Sequence, residues 1–171
     1  MKKAILLSLL FVACVFTASA QKFALIDMEY ILKNIPAYEQ ANTQLNQASQ
    51  QYQSEVEAKA KEAEVLYKEY QKASASLSAA QKTQREEAIV AKEKEAAELR
   101  KKYFGPEGEM AKKQEALIAP IQDKIYEAVK QISEQKGYAA VVDRGSAQSI
   151  IFASPSIDIS NEVLSRLGYS N

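Results

Sequence analysis

The spacing of hydrophobic residues changes several times along the chain, and each change predicts a different element. Residues 22–27 (KFALID) form a short apolar run that reads as a strand. Met28, Ile31, Leu32 and Ile35 then recur at helical spacing, and Pro36 stops that helix by pushing its predecessor out of the helical region. From Tyr38 to Ala73 there is no Gly and no Pro. Leu45, Tyr52, Val56, Ala63, Leu66, Tyr70 and Leu77 follow one another at intervals of three, four or seven. This is a narrow apolar seam on a long polar helix, as in a coiled coil. Glu55–Lys59, Glu57–Lys61, Glu64–Lys68 and Glu98–Lys102 are spaced i,i+4 with Glu first, the favourable order.

Three serines within residues 74–78 predict the tip of a helical hairpin. The returning helix runs from about Ala80 to Tyr103, with Ile89, Ala96, Leu99 and Tyr103 on one face. Phe104-Gly105-Pro106-Glu107-Gly108 breaks it. A third helix spans residues 109–136, with a richer seam of Met110, Leu117, Ile121, Ile125, Val129 and Ile132, and with Pro120 inside it. Gly137 suits the position just past a helix end. Residues 138–143 (YAAVVD) predict a second strand, 144–148 a turn and 149–153 (SIIFA) a third strand. Ser160 is placed as the cap of a last short helix carrying Val163, Leu164 and Leu167 and ended by Gly168.

The expected fold is therefore α+β and mostly α. The strands lie at the two ends of the sequence, so the polar helices between them must leave a small β body and return to it. About 36 helical residues at 1.5 Å each make a protruding antiparallel hairpin arm of roughly 55 Å. Residues 38–108 are assigned to the hairpin, and 21–37 with 109–171 to the body. Three short strands are marginal alone. Phe23, Leu25, Ile26, Val141, Val142, Ile150, Ile151 and Phe152 are expected to bury their apolar faces only between chains, in the shared core of a homo-oligomer.

The amino terminus reads as an address. Met1-Lys2-Lys3 is a basic start, residues 4–16 are apolar except for Ser8, and Ala18-Ser19-Ala20 is a small-x-small cleavage site. Phe11-Val12-Ala13-Cys14 has the outline of a lipobox, but Phe is unusual at its first position, so cleavage after Ala20 is the reading adopted. The mature product is expected to be exported and soluble.

Composition narrows the chemistry. The chain has no His and one Cys, Cys14, which falls within the signal. The mature chain thus lacks a thiol nucleophile, an imidazole base and Cys or His metal ligands. Neither GxxxxGK[ST] nor GxGxxG is present. With Lys2 and Lys3 removed, 20 cations face 22 acids, a poor balance for binding nucleic acid. No cofactor, no metal and no enzymatic activity are expected.

KFALIDMEYIL near the mature start resembles the opening of the Skp/OmpH family of periplasmic chaperones. KYFGPEGEM (102–110), IAPIQDKIYEAVKQISEQKGYAAVVDRGSA (118–147) and SPSIDISNEVLSRLG (154–168) are similar to later parts of the same family, in order along the mature chain. The resemblance implies a trimer, in which strands of three chains build a small β body and three helical hairpins surround a cavity. It also implies ATP-independent holding of unfolded outer-membrane proteins. One feature departs from the family pattern of basic tentacles: residues 38–104 hold 11 Lys plus Arg and 11 Asp plus Glu. That neutrality leaves contact with membrane lipid open and argues against electrostatic capture.

Tyr52, Val56, Leu66, Tyr67, Tyr70 and Leu77 are the candidate client-contacting residues. The tyrosines either line a client cavity or zip the two arms together; Tyr52 and Tyr70 lie in the seam, and Tyr67 lies one position off it. Arg100-Lys101-Lys102 and Lys112-Lys113 read as solvated helix faces, and Asp27, Asp143 and Asp158 as turn or cap residues. The 104–108 break is either a hinge or a fixed kink. Two functions remain at this stage: a periplasmic holdase chaperone, or a structural coiled-coil scaffold of the cell envelope. A rigid spacer should carry stronger Leu and Ile heptads than this seam does.

Overall fold

The structure, a computed structural model, describes residues 22–147 and 150–169. The proposed signal segment, and Gln148 and Ser149 of the expected turn and third strand, lie outside the described residues. Among the described residues the order is β1 (Lys22–Ile26), α1 (Met28–Lys33), α2 (Pro36–Ala73), α3 (Ala79–Phe104), α4 (Glu109–Lys136), β2 (Tyr138–Asp143) and α5 (Ser160–Arg166). The protein is mostly helical α+β with a small sheet. It divides into two compact units: the described residues up to Asn34 with those from Ile125 on, and Ile35–Lys124.

In the first unit β1 and β2 pair in parallel, with Ala24 opposite Val141, Leu25 opposite Val142 and Ile26 opposite Asp143. Parallel strands need a long crossover, and here it contains the helical hairpin. The other side of β1 is also used: Leu25 bridges Asp158, and the Ile159 N–H donates to the Leu25 carbonyl at 2.9 Å. In the same unit Ile31 of α1, Ile125 and Ile132 of α4 and Val163 of α5 are fully buried. Each such side chain contributes about 1.5–3 kcal/mol of apolar burial. Gly137 takes a φ of 71° directly after α4, a left-handed conformation that glycine adopts without steric cost.

The carboxylates at the strand ends are gathered rather than scattered. Arg144 donates through Nη2 (2.9 Å) and Nε (3.2 Å) to Asp27 Oδ2, and its Nη1 lies 3.2 Å from Asp158 Oδ2. Asp143 Oδ1 accepts from the Met28 and Gly145 N–H groups, each at 3.1 Å. Asp27 also caps α1 by accepting from the Tyr30 N–H at 2.8 Å. That cap and then Arg144 hold the Asp27 carboxyl below its ordinary range.

Three expectations are corrected. Ser160 does not cap α5: the cap position is Ile159. The buried Ser160 hydroxyl accepts from the Asp27 N–H at 2.8 Å and donates to Asp158 Oδ1 at 2.6 Å, because a buried hydroxyl must find partners. Residues 150–153 form no strand. A strand exists only by pairing, and this run pairs with no other segment among the described residues; Ile151 is 100% and Phe152 85% exposed. Finally, Leu25 and Ile26 do not wait for a second chain: both are already buried within this one, where β2 and the turn at Pro155–Ile157 pack against β1. Phe23, Val142 and Ile150 are exposed, and Val141 is half-buried.

In the second unit α2 and α3 lie antiparallel and form the hairpin. Between them Ser74–Ser76 makes one 3-10 turn, and Ser78 starts α3 with a reciprocal capping box to Gln81. Pro36 occupies the first turn of α2, where its missing N–H costs nothing. At the 105–108 corner, a Cβ on Gly108 would lie 2.8 Å from the carbonyl oxygens of Lys102 and Tyr103, and one on Gly105 would strike the Lys101 carbonyl oxygen. The corner is closely packed against its own backbone.

Candidate functional site

The hairpin seam is built from small residues. Ala41, Ala48, Val56 and Ala63 of α2 and Ile89, Ala96 and Tyr103 of α3 are buried, at spacings of seven or eight. Alanine lets the two helices approach closely and leaves no large side chain to fill the flanks of the seam. The two flanks differ.

One flank is polar. Lys59 reaches Glu62 at 3.0 Å and Glu95 at 4.0 Å, and Lys92 reaches Glu95 at 2.9 Å and Glu62 at 3.2 Å. These four side chains close a ring across the helices. Nearer the tip, Arg85 lies 3.9 Å from Glu69 and the Tyr70 hydroxyl donates to Glu86. Nearer the base, the Tyr103 hydroxyl donates to Glu55, and this bond pushes the phenol up to about 12. The same hydrogen bond, with one from Gln51, lowers the Glu55 carboxyl. Hydrogen bonds from Lys59 and Lys92 lower Glu62. Hydrogen bonds to Glu95 and Glu62 raise Lys92. Of the i,i+4 pairs read from the sequence, Glu64–Lys68 forms, whereas Lys59 turns to Glu62 and to the neighbouring helix.

The other flank is an apolar groove of about 530 Å³. Its floor is Val56, Ala60 and Ala63 from α2 and Ala96 and Ala97 from α3. Tyr67, 50% exposed, stands at one end, and Arg100 enters the lining from α3 together with Glu64 and Glu93. Val56, Ala60, Ala63 and Tyr67 are spaced four, three and four apart, and Glu93, Ala96, Ala97 and Arg100 three, one and three. Each set therefore occupies one helix face.

The expected client-contacting residues separate on this geometry. Val56 and Tyr67 line the groove. Tyr52 is stacked on Tyr103 with ring centroids 4.0 Å apart, and both rings meet Phe104 edge-on, so Tyr52 joins the arms. Tyr70 joins them through Glu86. Leu66 and Leu77 are half-buried and lie outside the groove lining. The sequence pattern does not single out Ala60 and Ala97, and it assigns Ala63 and Ala96 to the seam and Arg100 to a solvated face; the groove brings all five together. Lys102 rests over the Tyr103 ring at 5.4 Å. Among the described residues no cluster of three or more metal-ligating side chains occurs, and no helix is long and apolar enough to cross a membrane.

Comparison with known proteins bears on this architecture. A family model described as outer membrane protein (OmpH-like) matches residues 22–167. The chain belongs to the OmpH-like family. The match covers both strands and every helix described above. A crystal structure from Caulobacter crescentus, described as that of a candidate OmpH-like outer membrane chaperone, shares the fold with a TM-score of 0.65. Its sequence identity is 12%, over 87% of this chain and 85% of that one. No curated protein matches significantly. The family resemblance read from the strand-bearing ends is thus confirmed for this OmpH-like chain.

Proposed function

We propose that this protein is a periplasmic, ATP-independent holding chaperone that shields unfolded outer-membrane proteins until they insert. The observation that carries the reading is the alanine-floored groove: an open apolar surface on one flank of a hairpin whose other flank carries ion pairs and hydrogen bonds between the helices. An open apolar surface binds unfolded segments without strict sequence requirements. Family membership and the chaperone description of the Caulobacter protein support the same reading. Shielding is kinetic work, since the exposed strand edges of a barrel precursor otherwise pair with one another.

Self-association belongs to the proposal. Phe23, Val142, Ile150, Ile151 and Phe152 leave apolar surface on the first unit that a second and third copy would cover, as in a homotrimer. Residues 1–20 would direct export and be removed.

The test is dilution of a urea-unfolded β-barrel protein into buffer with and without the mature chain, followed by light scattering. Suppression at near-stoichiometric ratios without nucleotide supports holding. Unchanged aggregation favours a structural spacer of the envelope, for which the ion-pair ring across the hairpin would supply stiffness.

A further inference from the structure

We infer that the hairpin groove takes a short extended segment with alternating apolar side chains, an acidic residue at the Arg100 end and a cationic residue at the Glu93 end. The inference rests on the holding function proposed above and names the class of segment held.

Groove length and floor favour an extended occupant. Val56 and Tyr67 are eleven residues apart on α2, about 16 Å along the axis. The groove holds about 530 Å³ and is open on its solvent side, so an occupant lies along it with one face on the floor. An extended strand rises about 3.3 Å per residue and directs alternate side chains to one face. About five residues span the groove, and three of their side chains point at the floor. Ala60, Ala63, Ala96 and Ala97 end at Cβ, so the space above them suits side chains larger than their own.

Rim charges select the flanks. Among the described residues Arg100 and Glu93 make no ion pair or side-chain hydrogen bond, while Glu64 is engaged by Lys68. Arg100 and Glu93 lie seven residues apart on α3, about 10 Å, or three residues of extended chain. An unpaired cation at one end and an unpaired carboxylate at the other match a segment carrying the opposite signs. Membrane-spanning strands of barrels alternate apolar and polar residues, with aromatic residues at both interfaces and turn residues between strands, so they supply alternating segments of this kind.

The probe is a fluorescent ten-residue peptide in which Leu and Tyr alternate with Ser and Thr, with one Glu and one Lys placed three residues apart at its centre to match the Arg100–Glu93 spacing. Its control is an isomer with the apolar residues clustered together. Anisotropy titration of the full mature chain should show the alternating peptide binding about tenfold more tightly than the isomer, the difference of at least one buried side chain. Arg100→Glu should weaken this peptide about tenfold, and a peptide with Lys at both charged positions should regain binding to that variant. Ala97→Leu should remove binding of every peptide, with circular dichroism and sedimentation unchanged. Equal affinity for the two isomers, or indifference to Arg100→Glu, overturns the inference. So does a changed sedimentation coefficient of the client-free Ala97→Leu protein, which would make the groove a contact between copies. The barrel-aggregation assay on the same preparations separates the two levels. Holding without peptide discrimination defeats this inference alone, and failure to hold defeats the functional reading beneath it.

Discussion

Ala96 and Ala97 are adjacent in sequence, yet Leu at one should damage the fold and at the other should damage only function. Ala96 is 8% exposed and sits in the seam between α2 and α3, whereas Ala97 is exposed on the groove floor. Ala96→Leu forces three extra carbons between helices that approach closely because their facing residues are small. Overpacking of this kind costs about 1–3 kcal/mol. The change in helix propensity is small, a few tenths of a kcal/mol at most, because Leu is nearly as good a helix former as Ala. The expected drop in Tm is roughly 2–10 °C for a chain of this size. Ala97→Leu meets no packed neighbour and should stay within about 0.5 kcal/mol of the parent, while filling the groove. Thermal melts by far-UV circular dichroism, with the barrel-aggregation assay on the same samples, check both statements. Equal melting of Ala96→Leu and the parent would refute the close seam. An equal loss of stability in the two variants would refute the open groove.

Three further outcomes follow from the geometry. The Tyr103 phenol, pushed up to about 12 by Glu55, should contribute a late-titrating step in ultraviolet absorbance that Tyr103→Phe removes, while Tyr70, raised by its hydrogen bond to Glu86, still titrates late in that variant; the Tyr103 pKa is raised on folding, so its stabilising effect is full below the unfolded value near 10 and is lost as pH rises through about 12. The Asp27 carboxyl is lowered on folding, so its contribution is present above the unfolded value and lost as pH falls through the folded one; Asp27→Asn should flatten the acid limb of stability against pH, measured by urea unfolding, and Arg144→Met should flatten it in part. Ile151→Lys with Phe152→Lys should leave the helical signal intact, because both side chains are exposed within the chain, and should lower the sedimentation coefficient if they cover one copy with another.

The helices were the legible part of the sequence. Pro36, the serines at 74–78, Gly105 and Gly137 act locally, through φ restriction, missing donors or left-handed backbone, and the boundaries they imply stand within a residue or two. Residues 150–153 form no strand in the chain, because apolar residues look the same whether an edge pairs with them or solvent surrounds them. Ser160 looked like a cap by type and position, but a buried partner 133 residues away, the Asp27 N–H, claims its hydroxyl instead. The groove was overlooked for a related reason. The large side chains of the pattern, Tyr52 and Tyr70, are engaged in joining the arms. The open surface is made by alanines, whose significance is the space they leave, and that space becomes visible only when two helices are set side by side.

Site-specific photo-crosslinking tests most directly whether clients lie in the groove. A photoreactive residue would replace Tyr67 on the groove side, and in a second protein Lys92 on the ion-pair side, each mixed with a urea-diluted β-barrel protein. The account predicts strong crosslinks from position 67, weak ones from position 92, and loss of the first when Ala97→Leu is added. Equal crosslinking from the two positions, or crosslinking at 67 that survives Ala97→Leu, would contradict it.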